Sequence, residues 1–340
     1  MPTSHTRGAG DWSMLIDALK AAKRLAIFTH QRPDPDAVGS QVGLASLLSQ
    51  AGNTGVVMEF PPVPESLKFI LDASPWPVLE FNAAWPVDRL AEFDTVVVVD
   101  TSSREQLSPA FALLDGSWQK LLCIDHHLAA DIRGRCIYRD STAGSCAEII
   151  VRLADEFGGL NLKAANALLA GITADTGWFH FEGTSAGTLR AAAVCVAAGA
   201  RPEELWNRLM QQDTVAKWKL AGRALQTTQY AVGGRLALMC ITQRDFIETG
   251  AKSWETEGLI NYPLSIADVA ASACLSEQAD GVIRVSLRSK HTINVAEIAA
   301  EFGGGGHARA AGCRMTMPMD GACRALTEAF EWRLSVALRK

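Results

Sequence analysis

Residues 95–100 read TVVVVD, five β-branched residues in a row and then an aspartate. The run has no polar–apolar alternation, so neither face of the strand it forms is built to meet water. It belongs to a sheet covered on both sides, the situation of parallel sheets with helices on each face. Working outward, Leu25–Thr29 and Gly55–Met58 read as strands before it, and Leu121–Ile124 as one after it. Helical spacing appears in Asp11–Lys23, where Met14, Leu15, Ala18 and Leu19 share a face, and in Asp36–Gln50, which stops near Gly52. Ala143–Phe157 and Leu162–Ala174 also read as helices. Strands alternating with helices predict an α/β fold, a mostly parallel sheet flanked by helices and joined by right-handed crossovers.

The second half has another texture. A helical stretch from Thr184 to about Tyr230 is interrupted near Gly199 and Pro202. Strand-like runs follow at Arg235–Ile241, Val269–Leu275 and Val282–Leu287, then a helix at Val295–Glu301 and a four-glycine loop. The pattern predicts a smaller α/β C-terminal domain, with domains at 1–195 and 231–340 and a helical linker at 196–230. A chain of 340 residues, 48% hydrophobic and 20% charged, has the length for two domains and the apolar content for a sizeable core.

Several function classes fall away on composition. No apolar run approaches the ~18 residues that span a bilayer, so no membrane association is expected. The start, Met1–Trp12, lacks a charged segment followed by an apolar one, so secretion is not expected. The eight cysteines are scattered with no C-x-x-C pair, which excludes zinc-ribbon and dithiol redox motifs. Most lie in apolar segments as reduced thiols, and a cytoplasmic location is expected. A net charge of −5 argues against attachment to long nucleic acid, which depends on neutralising phosphates, and leaves a short or small phosphorylated substrate.

The chemistry-bearing residues stand at strand ends. His30, Asp34 and Asp36 follow the first strand in HQRPDPDAVGS, Asp100 follows TVVVV, and Asp125-His126-His127 follows Leu121–Ile124. Asp175, in TADTGWF, closes a helix. Each alone reads more simply as a turn residue, a helix cap or a solvent-facing imidazole. In a parallel sheet, however, ligands gather at the C-terminal ends of the strands, and the topology would bring these clusters to one edge. So many carboxylates and imidazoles together are costly to bury unless cations neutralise them. Oxygen and imidazole donors without thiolate suit manganese, iron(II), cobalt or zinc better than calcium. Six donors are too many for one catalytic ion with open positions, and two ions sharing a bridging carboxylate fit the count. Such pairs, ~3.5–4 Å apart, serve phosphoryl transfer above all.

These segments resemble the DHH phosphoesterase family, named for its Asp-His-His motif. HQRPDPDAVGS, VVVVDTSS, CIDHH and GITADTGWFHF resemble its four motifs in order, and INYPLSI, RVSLRSK and FGGGGHARAAG resemble the DHH-associated C-terminal domain. By size and layout the match is to the nanoRNase/pAp phosphatase branch. The resemblance implies that His30 and Asp34 ligate one metal, that Asp36, His126 and Asp175 ligate the other, and that Asp100 bridges them. It implies that His127 contacts the scissile phosphate and that Asp125 orients the neighbouring histidine. The cofactor it implies is a pair of divalent ions, manganese. Arg32 and Pro35 depart from the family's usual Asn and Gly; Pro35 should stiffen the ligand loop and Arg32 alter the approach to the phosphate.

Glycines let a backbone approach a ligand and expose N–H groups to it, although a bare four-glycine run reads first as a flexible turn. Around Gly303–Gly306, between Gly281 and Thr316, five Lys/Arg stand against two Glu, a concentration of positive charge in an acidic chain. By resemblance, Arg288, Ser289, Gly304, Gly305, Gly306 and His307 hold the part of the substrate beyond the scissile phosphate, across an interdomain cleft. His5, His180 and His291 receive no role.

The expected activity is exonucleolytic hydrolysis of short oligoribonucleotides and conversion of pAp to AMP. Short RNA or small nucleotides are the expected partners, and a homodimer the expected assembly. Hydrolysis of linear or cyclic dinucleotide signals by the same site is the nearest rival. A RecJ-type single-strand DNA exonuclease would need further domains, and a non-enzymatic nucleotide- or RNA-binding module would show lost ligands. A pyrophosphatase should lack the GGGGH loop.

Overall fold

A computed structural model describes residues 11–82, 85, 87–108, 110–128, 130–290 and 293–337, without the side chains of 87, 88, 307 and 334–337. His5 and His291 lie outside the described residues. The chain divides into two compact units, Met1–Gln212 and Asp213–Lys340.

The first unit is built on six parallel strands: β1 (Arg24–Phe28), β2 (Thr54–Glu59), β3 (Val78–Glu80), β4 (Thr95–Val99), β5 (Leu121–Asp125) and β6 (Cys136–Arg139). Their order is β3-β2-β1-β4-β5-β6, and every neighbouring pair is parallel. The helices are α1 (Trp12–Ala21), α2 (Pro35–Gln50), α3 (Lys68–Leu71), α4 (Phe111–Asp115), α5 (Cys146–Val151), α6 (Leu162–Asp175), α7 (Ala186–Ala197) and α8 (Pro202–Leu209). The opening pentapeptide behaves as its composition demands. Val97 and Val99 join the core beneath α1, α2, α5 and α6, while Val96 and Val98 join a second core on the opposite face. Chain order reverses direction between β1 and β4, the place in an open α/β sheet where a crevice forms.

Helix α2 is buried along most of its length and packs backbone to backbone on α6. A Cβ on Gly39 would stand 2.3 Å from the Ala167 carbonyl oxygen, so only glycine permits the approach. The segment Ala143–Phe157, which reads as one helix, is broken. Ser145 caps α5, which ends at Val151, and a separate 3₁₀ turn covers Ala154–Phe157.

The second unit has the helices α9 (Val215–Gln226), α10 (Gln243–Thr249), α11 (Asn261–Leu264), α12 (Val295–Glu301) and α13 (Met319–Ala337). Its strands are β7 (Gln229–Ala231), β8 (Leu236–Ile241), β9 (Ala271–Glu277), β10 (Ile283–Ser289), β11 (Gly305–His307) and β12 (Ala310–Met315). They form a mixed sheet in the order β11-β12-β10-β9-β8-β7, with β8 and β9 parallel and the other pairs antiparallel. One core lies between this sheet and α12 and α13, another against α9 and α10. The α/β expectation, a parallel sheet flanked by helices plus a smaller α/β domain, is therefore met. Among the described residues no helix is long and apolar enough to cross a membrane.

Candidate metal centre

The C-terminal ends of β1, β4 and β5 all lie at one sheet edge because the strands are parallel, and the candidate side chains gather there. His30 follows β1 and is 8% exposed; its Nδ1 meets the Gln31 carbonyl at 2.9 Å, which leaves Nε2 3.4 Å from Asp100 Oδ2. Asp34 is the N-cap of α2 and accepts the Asp36 and Ala37 N–H groups at 2.9 and 3.0 Å, both on Oδ1. Pro35 then fills the first helical position, where a missing N–H costs nothing.

Asp36 is fully buried in the first turn of α2. Cys146 N–H donates to its Oδ2 at 2.7 Å and Ala147 N–H to its Oδ1 at 2.9 Å. Asp100 leaves β4 with a left-handed backbone, φ +62, a conformation Asp tolerates better than most residues. His126 Nε2 stands 3.4 Å from Asp100 Oδ1, 3.2 Å from Asp175 Oδ2 and 4.0 Å from Asp36 Oδ2. Asp175 is the last residue of α6, and the chain beyond it makes three successive left-handed residues, Gly177, Trp178 and Phe179.

Candidate donor atoms lie within 4.8 Å of one another in three groups: Asp100–His126–His127, and the two that share no residue, His30–Asp34–Asp100 and Asp36–His126–Asp175. Asp100 offers one oxygen toward each of the last two. His127 is half exposed, and its Nδ1 is 2.8 Å from Asp125 Oδ1, whose partner oxygen accepts the Ser102 hydroxyl at 2.5 Å. Asp125 thus orients His127 rather than His126.

The electrostatics are those of carboxylates crowded without counter-charge. Burial, then the charges of Asp100 and Asp175, push Asp34 up to about 6 and Asp36 well above the carboxylate range. Burial disfavours a charged imidazole, but hydrogen bonds to Asp100 outweigh it and lift His30 to about 9. His126, drawn to both Asp100 and Asp175, is lifted to about 12 against the same opposition. Burial works against ionisation of Asp100 too, yet the two histidines hold it well below the usual range. In each case a proton does the work of a cation. The fit to metal is direct: Asp100 Oδ1 and His126 Nε2, both buried, face each other at 3.4 Å without a well-aligned hydrogen bond to any described residue. Buried orphans of this kind are rare without a further partner, and oxygen and imidazole donors suit a borderline divalent ion.

The C-terminal candidates are dispersed by strand geometry. Arg288 lines a cavity of about 210 Å³ with Arg284, Ser276, Ser286 and Trp254. Ser289, the next residue on β10, takes the alternate face, and its hydroxyl donates to the Ile293 carbonyl at 2.6 Å. Gly304 and Gly306 are glycines for a steric reason, since a Cβ there would lie 2.1 Å from Gly312 O and 2.5 Å from Ala310 O. Gly305 faces open space. His307 ends β11, and its side chain lies outside the described residues.

Sequence reasoning passed over Glu59. It ends β2 at the same sheet edge, is 1% exposed, and neither carboxylate oxygen has a hydrogen-bond partner among the described residues. Burial, tempered by His30 and Gln41, raises it to about 8. The strand-end rule that found Asp100 could have found it.

Fold and site together define a metal-dependent hydrolase of phosphoester bonds, and the chain belongs to the DHH family. The model of the DHH family N-terminal domain matches residues 24–172, and that of the DHHA1 domain matches 238–332. The chain is 31% identical to the bifunctional oligoribonuclease and PAP phosphatase NrnA of Bacillus subtilis, over 88% of this chain and 91% of that one. It is 29% identical to the protein of the same description from Thermus thermophilus, over 95% and 94%. The crystal structure of an exopolyphosphatase-related protein from Bacteroides fragilis shares the fold, with a TM-score of 0.84, 23% identity and full coverage of both chains.

Proposed function

We propose that this protein hydrolyses short oligoribonucleotides from one end and converts pAp to AMP, using two divalent ions, manganese. The observation that carries the reading is the pair of donor groups joined at Asp100, with Asp100 Oδ1 and His126 Nε2 buried 3.4 Å apart and without a well-aligned hydrogen bond. Likeness to the two bifunctional oligoribonucleases over nearly the whole chain supports the substrate class.

His30, Asp34 and Asp100 would hold one ion, and Asp36, His126, Asp175 and Asp100 the other. Bound there, the ions supply an activated water and positive charge for the phosphoryl group in transit. The chain's own residues do the rest. Asp36 is fixed in direction by the two amides that donate to it. Asp125 raises the His127 pKa through their hydrogen bond, which favours the protonated ring that would face the scissile phosphate. Arg288 and the Gly305 backbone grip the nucleotide beyond it.

The test is a panel of pAp, di- to pentaribonucleotides, linear and cyclic di-AMP and pyrophosphate, each with manganese and with chelator. Turnover of pAp and the short RNAs, abolished by chelator, is expected. A clear preference for cyclic di-AMP or pyrophosphate would reject the proposed substrate class.

A further inference from the structure

An ion triad of one partly buried arginine and two buried acids stands behind the metal centre and takes no part in the chemistry above. Arg152, just beyond α5, forks between two carboxylates, with Nη1 2.5 Å from Asp140 Oδ2 and Nη2 2.6 Å from Glu148 Oε1. Both acids are 1% exposed. Their other oxygens hold the chain between them. Asp140 Oδ1 accepts the N–H and the hydroxyl of Thr142, at 3.0 and 2.6 Å. Glu148 Oε2 accepts the Gly144 N–H at 2.9 Å and the Thr188 hydroxyl at 2.7 Å. Two glycines make the room, since a Cβ on Gly144 would lie 2.8 Å from Thr188 Oγ1 and one on Gly187 2.8 Å from Glu148 Oε1.

The segment pinned in this way runs into the amides of Cys146 and Ala147, and those amides grip the two oxygens of Asp36. At its other end, the Asp140 N–H is bonded to the Asp125 carbonyl at 3.0 Å. A buried ion network is a poor source of net stability, and its better-attested use is to fix geometry. We infer that Arg152, together with Asp140 and Glu148, is a positioning residue for Asp36. It sets where the two amides stand, and so the direction in which the Asp36 carboxylate meets its ion. The inference rests on the reading of Asp36 as a metal ligand.

Arg152 also lines a cavity of about 650 Å³ with Asp140, Glu148, Ser185 and Arg190, roomy enough to admit a free guanidinium ion. That supplies the test. Manganese binding is titrated first on the wild type by electron paramagnetic resonance, where two equivalents are expected; none would overturn the metal reading itself. In Arg152→Ala, the affinity for one equivalent should fall about ten- to a hundredfold while the other holds. Amide exchange at Cys146 and Ala147 in the chelated protein should quicken. Millimolar guanidinium, far below denaturing levels, should restore both. Arg133→Ala, which removes a surface arginine paired with Asp115, should do neither.

If Arg152→Ala does not fold, Thr188→Val decides, because it keeps the shape and deletes one hydroxyl, which donates to Glu148 and otherwise bonds to Ser185, the cap of α7. A weaker loss on the same equivalent supports the inference. Unchanged affinity for both equivalents in the deciding variant overturns it. So does an equal loss of both in Arg152→Ala with no guanidinium rescue, which would make the triad structural only.

Discussion

Replacing Asp100 by asparagine isolates the charge on which the dinuclear reading depends. Asparagine has the same shape and accepts the left-handed backbone, φ +62, that Asp100 adopts, so the fold should survive. What disappears is a carboxylate that is 2% exposed and whose two oxygens each stand 3.4 Å from a histidine of a different donor group. At that separation and an effective dielectric of about 20, a unit charge pair is worth about 5 kcal/mol. An amide dipole returns part of this, so a loss of roughly 4 kcal/mol is a fair expectation, or on the order of 10³-fold in rate. The assay measures kcat/KM on a diribonucleotide at saturating manganese, together with manganese content and the melting temperature of the chelated protein. Rate and metal content should fall together while the far-ultraviolet circular dichroism is kept. Activity within tenfold of wild type, with two equivalents still bound, would refute the bridging role.

Three further expectations follow from the same geometry. His126→Ala should lose about one manganese equivalent, whereas His127→Ala should keep both and lose rate, because only His127 is bonded to Asp125; metal analysis beside single-turnover kinetics separates them. Gly171→Ala should lower both stability and metal affinity, by roughly 1–3 kcal/mol in stability, since its Cβ would stand 2.6 Å from Asp36 Oδ1; thermal melts with and without manganese check this. The chelated protein should lose stability as pH rises from about 4 to 9. Asp34 and Glu59 have folded pKa values raised to about 6 and about 8, so each adds stability below its unfolded value that is gone once pH passes the folded one. His30, raised to about 9, adds stability present below its unfolded value and lost as pH rises through 9. Glu59→Gln should flatten the curve between its unfolded value of 4.5 and about 8, and an unchanged melting profile would count against a buried, protonated Glu59.

The sequence by itself determined the fold class and which acids and imidazoles could meet. TVVVV allows only a strand with both faces covered, and strands alternating with helices allow few arrangements but a parallel sheet. In such a sheet a residue's place at a strand's end fixes which edge it joins, so His30, Asp34, Asp100 and His126 needed no coordinates to be grouped. Period-two alternation likewise suffices to put Arg288 and Ser289 on opposite faces. Other features depend on partners remote in the chain, and only the tertiary structure decided them. Gly304 and Gly306 are held to glycine by β12 running against them. Helix α5 starts at Cys146, rather than at Ala143, where its first amides meet a carboxylate 110 residues earlier. Asp125 turns to His127 and not His126, and Arg152 finds Asp140 and Glu148, through side-chain directions that local periodicity does not encode. Local pattern sets which face a residue occupies; which atom it touches is settled by close packing between segments far apart in the chain.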